Sequence, residues 1–315
     1  MDIIQDIRDK ASSNLKTIVL PRSSDARVIE AALYLQENKL ANPILIQNEG
    51  ASIPEGLTIV DPVSDERLKS YAHSFYERRK HKGISEAEAI EVVKDPLFFA
   101  AAMVSAGNAD GAVAGSVSTT GDVLRAAIQT IGLKPGSNVV SSIFLMSFED
   151  GRVFTYGDCA VVPYPNAEQL ATIAMDSAQT HQKVTGADPR VAMLSFSTKG
   201  SAVHERIALV QEALEIVKSH NLNFSVDGEL QFDAAIVPDI AKRKAPDSEV
   251  AGQANVFIYP NLDAGNIAYK ITERLAGATA TGPIIQGMAK PMMDLSRGCS
   301  WEDIVNTVCV TALMS

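Results

Sequence analysis

A hydroxyl, a guanidinium and a flexible glycine stand side by side at Ser296-Arg297-Gly298, and a carboxylate follows at Asp303. They close a run that begins Gly282-Pro283-Ile284-Ile285-Gln286-Gly287 and continues through Lys290-Pro291-Met292-Met293-Asp294-Leu295. The run reads as one short loop holding the parts of an anion-handling acyl-transfer site. Arg297 offers a planar fork of donors that fits phosphate bidentately and never deprotonates. An arginine beside a helix start is electrostatically poor, because the helix N-terminus is already positive, and a bound anion resolves that conflict. Ser296 has no histidine beside it and no G-x-S-x-G elbow around it, so a hydrolase-type nucleophile is unsupported. Its plain reading is a turn serine bonding its own backbone. Ser300 reads as the N-cap of a final helix, and the Ser300-to-Asp303 spacing is that of a capping box, which gives Asp303 a structural use.

The other chemistry-bearing residues are dispersed. Arg78-Arg79-Lys80-His81-Lys82-Gly83 is the longest basic run of an acidic chain. A solvated helix C-terminus also favours such residues. Arg125 sits among Leu124, Ala126, Ala127 and Ile128, three residues after Asp122, a spacing that permits an ion pair on a helix. Cys159 follows Asp158, whose charge has the wrong sign to activate a thiol, so it reads as core or pocket lining. The 5 histidines, at 73, 81, 181, 204 and 220, form no ligand set, and no metal is expected. Neither G-x-x-x-x-G-K-[ST] nor G-x-G-x-x-G after a strand is present, which argues against a kinase, an NTPase or a typical dinucleotide enzyme.

These residues need a scaffold, and 315 residues favour two domains. Apolar residues at 46% and charged ones at 21% suit a globular protein with real cores. A net charge of -10 argues against a general nucleic-acid binder, and it makes each local cluster of cations more telling. The 3 cysteines, at 159, 299 and 309, have neither disulfide nor metal spacing and read as reduced thiols of a cytoplasmic protein. The start, Met1-Asp2-Ile3-Ile4-Gln5-Asp6, does not read as a signal peptide. No apolar run approaches the roughly 18 residues of a membrane span.

Strands and helices alternate, which predicts an α/β architecture with mostly parallel sheets. Strands are expected at Thr17 to Leu20, Ile44 to Ile46, Ala109 to Ala114, Val191 to Ser195 and Asn255 to Ile258. Helices are expected at Asp25 to Lys39, Thr119 to Ile131, Asn166 to Lys183, Ser201 to Ser219 and Asp263 to Leu275. Thr119-Thr120-Gly121-Asp122 has a capping-box pattern. Turn formers Gly132, Pro135 and Gly136 precede two consecutive strands, 143–148 and 152–156, and that break in rhythm marks a domain boundary. The last helix, from Ser300 to Leu313, carries an apolar face of Ile304, Val305, Val308, Cys309 and Ala312.

Five segments in order resemble the phosphotransacetylase family over nearly the whole chain. Arg78 to Gly83 looks like its basic RKxKG segment. Gly111 to Gly115 with Thr119 to Arg125 looks like its glycine-bounded strand and arginine-bearing helix. Gly157-Asp158-Cys159-Ala160-Val161-Val162-Pro163 resembles DCAVNP, Asn261 to Lys270 resembles DLNAGNIGYK, and the Gly282 to Ser300 run is the fifth. The chain departs from the family at Arg22-Ser23, where an acidic residue and Gly are usual, and at Val162 and Asp263, where Asn is common. The Ser296, Arg297 and Asp303 positions are unaffected.

The resemblance implies a phosphate acetyltransferase that exchanges an acetyl group between acetyl phosphate and coenzyme A by direct thiolate attack. It implies that Ser296 donates to the acyl carbonyl, that Arg297 with Arg79 and Arg125 binds phosphate or CoA, and that Asp303 takes the thiol proton. Cys159, Asn266 and Gln286 are implied to line the pocket. CoA would be a substrate, with inorganic phosphate the other product and no tightly bound cofactor. The implied architecture is that of the isocitrate and isopropylmalate dehydrogenases: residues 1–135 with 286–315 as one α/β domain, residues 136–285 as a second that dimerises, and the site in a cleft between them. Longer acyl chains, as in phosphate butyryltransferases, are the nearest alternative. A non-catalytic domain sensing acyl-CoA or phosphate, and an oxidoreductase of related architecture, are the rivals from other classes.

Overall fold

The computed structural model describes residues 3–48, 50, 51 and 53–315. Short apolar runs become strands and amphipathic segments become helices. In chain order these are α1 Ile3–Ser13, β1 Thr17–Leu20, α2 Ala26–Glu37, β2 Asn42–Ile46, β3 Thr58–Val60, α3 Leu68–Arg79, α4 Glu86–Val93, α5 Pro96–Ala106, β4 Gly111–Ala114 and α6 Thr120–Thr130. Then come β5 Ser141–Ser147, β6 Val153–Gly157, α7 Ala167–Thr185, β7 Arg190–Leu194, α8 Glu205–Lys218, β8 Ser225–Leu230, α9 Phe232–Ile236 and α10 Pro238–Lys244. The chain ends with β9 Val256–Ile258, α11 Leu262–Ala276, β10 Thr279–Gln286, β11 Met292–Asp294 and α12 Trp301–Met314.

The chain divides into two compact units, residues up to 135 with 288–315, and residues 136–287. The first unit holds a sheet in the order β11-β4-β1-β2-β3, with every pairing parallel. Strands this short and apolar, Ile18, Val19 and Leu20 for example, must be covered on both faces, as parallel sheets are. Helix α5 is apolar all round and lies inside, with Phe99, Ala100, Ala101, Met103 and Val104 buried. Asp95 caps it, Pro96 opens it, and Gly107 closes it at φ 81, where a left-handed conformation suits glycine. Helix α12 buries Ile304, Val305, Val308 and Cys309 and packs on α1 and α2.

The second unit holds a six-stranded sheet in the order β10-β5-β6-β9-β7-β8. β10, β5 and β6 pair antiparallel and the remaining pairings are parallel. Two mostly parallel sheets covered by helices make the chain an α/β protein. Helix α7 lies across this sheet and carries a buried polar face. The Nδ1 of His181 sits 2.8 Å from the Thr155 hydroxyl, and its Nε2 has no hydrogen-bond partner. Burial, helped by the charge of Arg190, lowers its pKa from 6.5 to about 4.

That shift sets a pH dependence. Below the unfolded pKa of 6.5 the unfolded chain takes up a proton that folded His181 refuses until about pH 4. The stabilisation is therefore complete above pH 6.5 and is lost as pH falls through that window, by about 3 kcal/mol in all. Denaturant midpoints measured from pH 7 to 4 should fall in the wild type and fall less steeply in His181→Gln. Equal slopes would place the acid sensitivity elsewhere.

Three sequence expectations are corrected. Helix α8 starts at Glu205, not Ser201, because extended His204 caps it, its ring accepting the Arg206 N–H, while the Ser201 hydroxyl is used in the preceding turn by Thr198 N–H. The expected capping box at Thr119 closes on one side only. The Thr119 hydroxyl oxygen accepts from Asp122 N–H, but the Asp122 carboxylate binds the Thr119 hydroxyl and Arg125 in place of the Thr119 amide. Finally, the run from Gly282 to Ser300 is not one loop. Its first part is the end of β10, in the second unit, and Met292–Asp294 is a strand of the first. Among the described residues, no helix is long and apolar enough to cross a membrane.

Candidate functional site

Strands β1, β4 and β11 are neighbours, and each runs from its carboxyl end through a short loop into a helix N-terminus. In open parallel sheets such ends collect ligands, and helix N-termini present unpaired N–H groups and positive dipole ends to anions. All three helices are capped by side chains: Asp25 on α2, Thr119 on α6 and Ser300 on α12.

Arg27, in the first turn of α2, joins the three loops. Its Nη1 donates to the carbonyls of Arg297 at 3.0 Å and Cys299 at 2.7 Å. Its Nη2 donates to the Ser116 carbonyl at 2.9 Å and to Asp25 at 2.8 Å. Burial works against the Asp25 carboxylate, yet hydrogen bonds from Arg27 and Ser116 and the charge of Arg27 hold its pKa below the usual value. Nearby, Arg22 Nε donates to the Ser118 hydroxyl at 3.3 Å, which gives Arg22 a place at the same loops. A second tie runs from the Thr120 hydroxyl to Oδ2 of buried Asp294 at 2.6 Å. Burial raises the Asp294 pKa to about 6, with the Thr120 hydroxyl and the Leu295 amide opposing. The sequence reading missed Arg27, Thr120 and Asp294. Arg27 falls two residues after a capping Asp, which was its only local signal.

Ser296, Arg297 and Asp303 are all exposed and stand on the β11 loop and the start of α12. The Ser296 hydroxyl oxygen accepts from Gly298 N–H at 3.2 Å, which is the turn role foreseen for it, and among the described residues its own proton has no acceptor. The Arg297 guanidinium has no ion pair among the described residues. Asp303 completes a capping box: its Oδ2 accepts from Ser300 N–H at 2.8 Å, and its own N–H donates to the Ser300 hydroxyl at 3.2 Å. Arg125 makes the expected i+3 pair with Asp122 at 2.9 Å, both partners about half exposed, so solvent screens it and it yields readily to a stronger anion. Arg79 ends α3, half-buried and without an ion pair among the described residues. Among the described residues, no hydrogen bond or ion pair links Arg79 to the β11 loop.

Cys159, Asn266 and Gln286 belong to the second unit, and Cys159 and Gln286 are buried within it. Cys159 is fully buried in an aromatic cluster with Phe144, Tyr156 and Phe257, and burial pushes its thiol pKa well up, with Asp158 adding to the effect. Gln286 is buried in a polar knot, accepting from Thr180 and donating to Ser141 and Ser177. Asn266 is half-buried and ties α11 to the Cys159 carbonyl at 2.9 Å. The same turn explains its motif: the Asp158 carboxylate accepts the N–H groups of Ser142, Ala160 and Val162, and a side chain at Gly265 would meet the Asp158 carbonyl. Cys299 and Cys309 are buried and their thiol pKa values are raised, in each case chiefly by burial. Among the described residues, no group of three or more His, Cys, Asp or Glu could hold a metal ion.

The arrangement of three helix starts, an unpaired guanidinium, a free hydroxyl proton and a carboxylate suits an anionic leaving group. The sequence model described as phosphate acetyl/butaryl transferase matches residues 2–312. A phosphate acetyltransferase of Thermoanaerobacterium thermosaccharolyticum is 48% identical over 327 residues, spanning 100% of both chains. The solved structure of an EutD phosphotransacetylase from Staphylococcus aureus superposes with a TM-score of 0.91 at 42% identity, covering 99% of this chain and 98% of that one. A putative 4-hydroxythreonine-4-phosphate dehydrogenase from Salmonella typhimurium shares the fold alone, with a TM-score of 0.54 at 11% identity over 96% of this chain and 100% of that one.

Proposed function

The chain belongs to the phosphate acetyl/butaryl transferase family, and from that premise we propose that it catalyses the reversible reaction acetyl-CoA + phosphate = CoA + acetyl phosphate. The observation that carries the reading is the placement of Ser296, Arg297 and Asp303 on one loop and helix start beside two other helix N-termini. The CoA sulfur attacks the acyl carbonyl; the C–S bond forms, the C–O bond to phosphate breaks, and inorganic phosphate leaves with the bonding pair. Ser296 donates its free proton to the carbonyl oxygen as it gains charge. Arg297, with Arg125 and Arg79, holds the phosphoryl oxygens. Asp303 receives or orients the thiol proton. CoA enters as a substrate, and the step as written uses no other cofactor.

Thioester absorbance, on mixing CoA with a panel of acyl phosphates, tests the reading. Acetyl phosphate should be turned over fastest. Faster turnover of butyryl phosphate would move the assignment to the longer acyl chain, and CoA binding without thioester formation would leave only a sensor.

Asp303 is assigned a modest share. A thiol of pKa about 8.5 is roughly 3% ionised at pH 7, so ionising it fully gains at most about 30-fold. Asp303→Asn keeps an oxygen for the Ser300 N–H but removes the base. Its rate should fall by up to about 30-fold at pH 7 and recover as pH rises towards 8.5, with unchanged melting. A deficit that does not change with pH would strip Asp303 of the base role.

Two further features belong to the same proposal. Helix α11 leaves Ile267, Ile271 and Leu275 exposed at helical spacing, an apolar stripe on the second unit that supports a homodimer. Light scattering should give the dimer mass for the wild type and a smaller mass for Ile271→Asp. Three unpaired cysteines, all buried, support a cytoplasmic location.

A further inference from the structure

Asp294 is 2% exposed, and no charged side chain lies in hydrogen-bond contact with it. Its Oδ2 holds the Thr120 hydroxyl, and its Oδ1 has no hydrogen-bond partner. An ionisable group kept in such a place is costly, and a plain apolar residue would pack there more cheaply. The position shows what the carboxyl does. Asp294 is the last residue of β11, paired in register with Ala114 at the end of β4, and Ser296 and Arg297 follow directly. Thr120 is the first residue of α6, the helix that bears Arg125. The space for this contact is made by Gly115, where a side-chain carbon would come within 2.4 Å of Asp294 Oδ1 and of the Leu295 amide.

We propose that Asp294 is a positioning residue for acyl transfer, bolting the first turn of α6 to the strand end that presents Ser296 and Arg297. The bolt fixes the oxyanion donor and the phosphate-holding arginine of one loop relative to the arginine of the neighbouring helix. Aligned groups gain rate only while their geometry is held, and a displacement of about 1 Å can cost on the order of a hundredfold. The proposal rests on the acyl-transfer reading of the site.

The test compares Thr120→Val, Thr120→Ser, Asp294→Ala and the Thr120→Val/Asp294→Ala double variant, with thioester formation from acetyl phosphate and CoA as the readout. Thr120→Val has the same shape without the donor and should lower kcat about tenfold, with the KM values for CoA and acetyl phosphate little changed. Thr120→Ser restores the donor and should restore kcat to within about threefold of wild type. The double variant should be no slower than the slower single one, because both remove the same bond. Thr120 is exposed, so its variants remain informative if Asp294→Ala does not fold. An unchanged kcat in Thr120→Val, a Ser variant no better than Val, or losses that add in the double variant would overturn the bolt. A wild-type enzyme inactive with every acyl phosphate would instead take down the acyl-transfer reading, and the bolt with it.

Discussion

Arg297→Ala should lower kcat for thioester formation by about 10²–10³ while leaving the melting temperature unchanged. The guanidinium is exposed and has no ion pair among the described residues, so its removal leaves nothing unsatisfied in the fold. It stands three residues before the N-cap of α12, where a cation without a counterion is disfavoured by the helix dipole. A phosphoryl group bound there turns the disfavoured cation into half of a bidentate pair. The pair strengthens as the C–O bond breaks, because negative charge accumulates on the leaving oxygens. That timing places the loss in kcat, not in KM. Arg297→Lys should recover only part of the rate, since an ammonium offers charge without the planar fork. Turnover of Arg297→Ala equal to wild type would remove Arg297 from the mechanism.

What the sequence disclosed follows the range of the interactions involved. The α/β alternation was legible because strands such as Thr17–Leu20 and helices such as α2 announce themselves within a few residues through apolar runs and caps. Ser300 and Asp303 were legible as a capping box for the same reason, since both partners lie within one turn. Asp122 was harder. The local pattern offered it two partners, and the ion pair with Arg125 competed with the backbone amide of Thr119. The run from Gly282 to Ser300 read as one loop holding the parts of a single site. In the fold Gly282 lies inside β10, where a side-chain carbon would sit 2.8 Å from the Ile143 carbonyl of the neighbouring strand. Gln286 and Cys159 were implied to line the pocket by the family resemblance alone, with core as the other reading of Cys159, and tertiary packing buries both. Asp294 and Arg27 left almost no local trace. Their partners are 174 and up to 272 positions away in sequence, and only the folded sheet brings them together.

Arg27 carries the second large expected effect. One guanidinium touches all three of the loops after β1, β4 and β11, through Asp25, Ser116, Arg297 and Cys299. Three of those contacts are to backbone carbonyls, so they fix main-chain position and not merely a side-chain rotamer. Arg27→Met should release the Arg297–Cys299 segment from the Ser116 loop and lower kcat on the order of a hundredfold, the scale expected when reacting groups shift by about 1 Å. Arg27→Lys should not rescue it, because a single ammonium cannot serve both Nη1 and Nη2 geometries at once. The cost to stability should be about 1–3 kcal/mol, because the Ser116 and Cys299 carbonyls belong to buried residues and lose their donor. The combination separates positioning from folding: a large drop in kcat at a temperature well below melting, with CoA still bound, marks a misplaced Arg297. Parallel losses of activity and melting temperature would make Arg27 a stabiliser of the unit alone. The double variant Arg27→Met/Arg297→Ala sharpens the distinction. If Arg27 works by holding Arg297 in place, the double variant should be about as slow as Arg297→Ala, because a residue that is gone can no longer be misplaced.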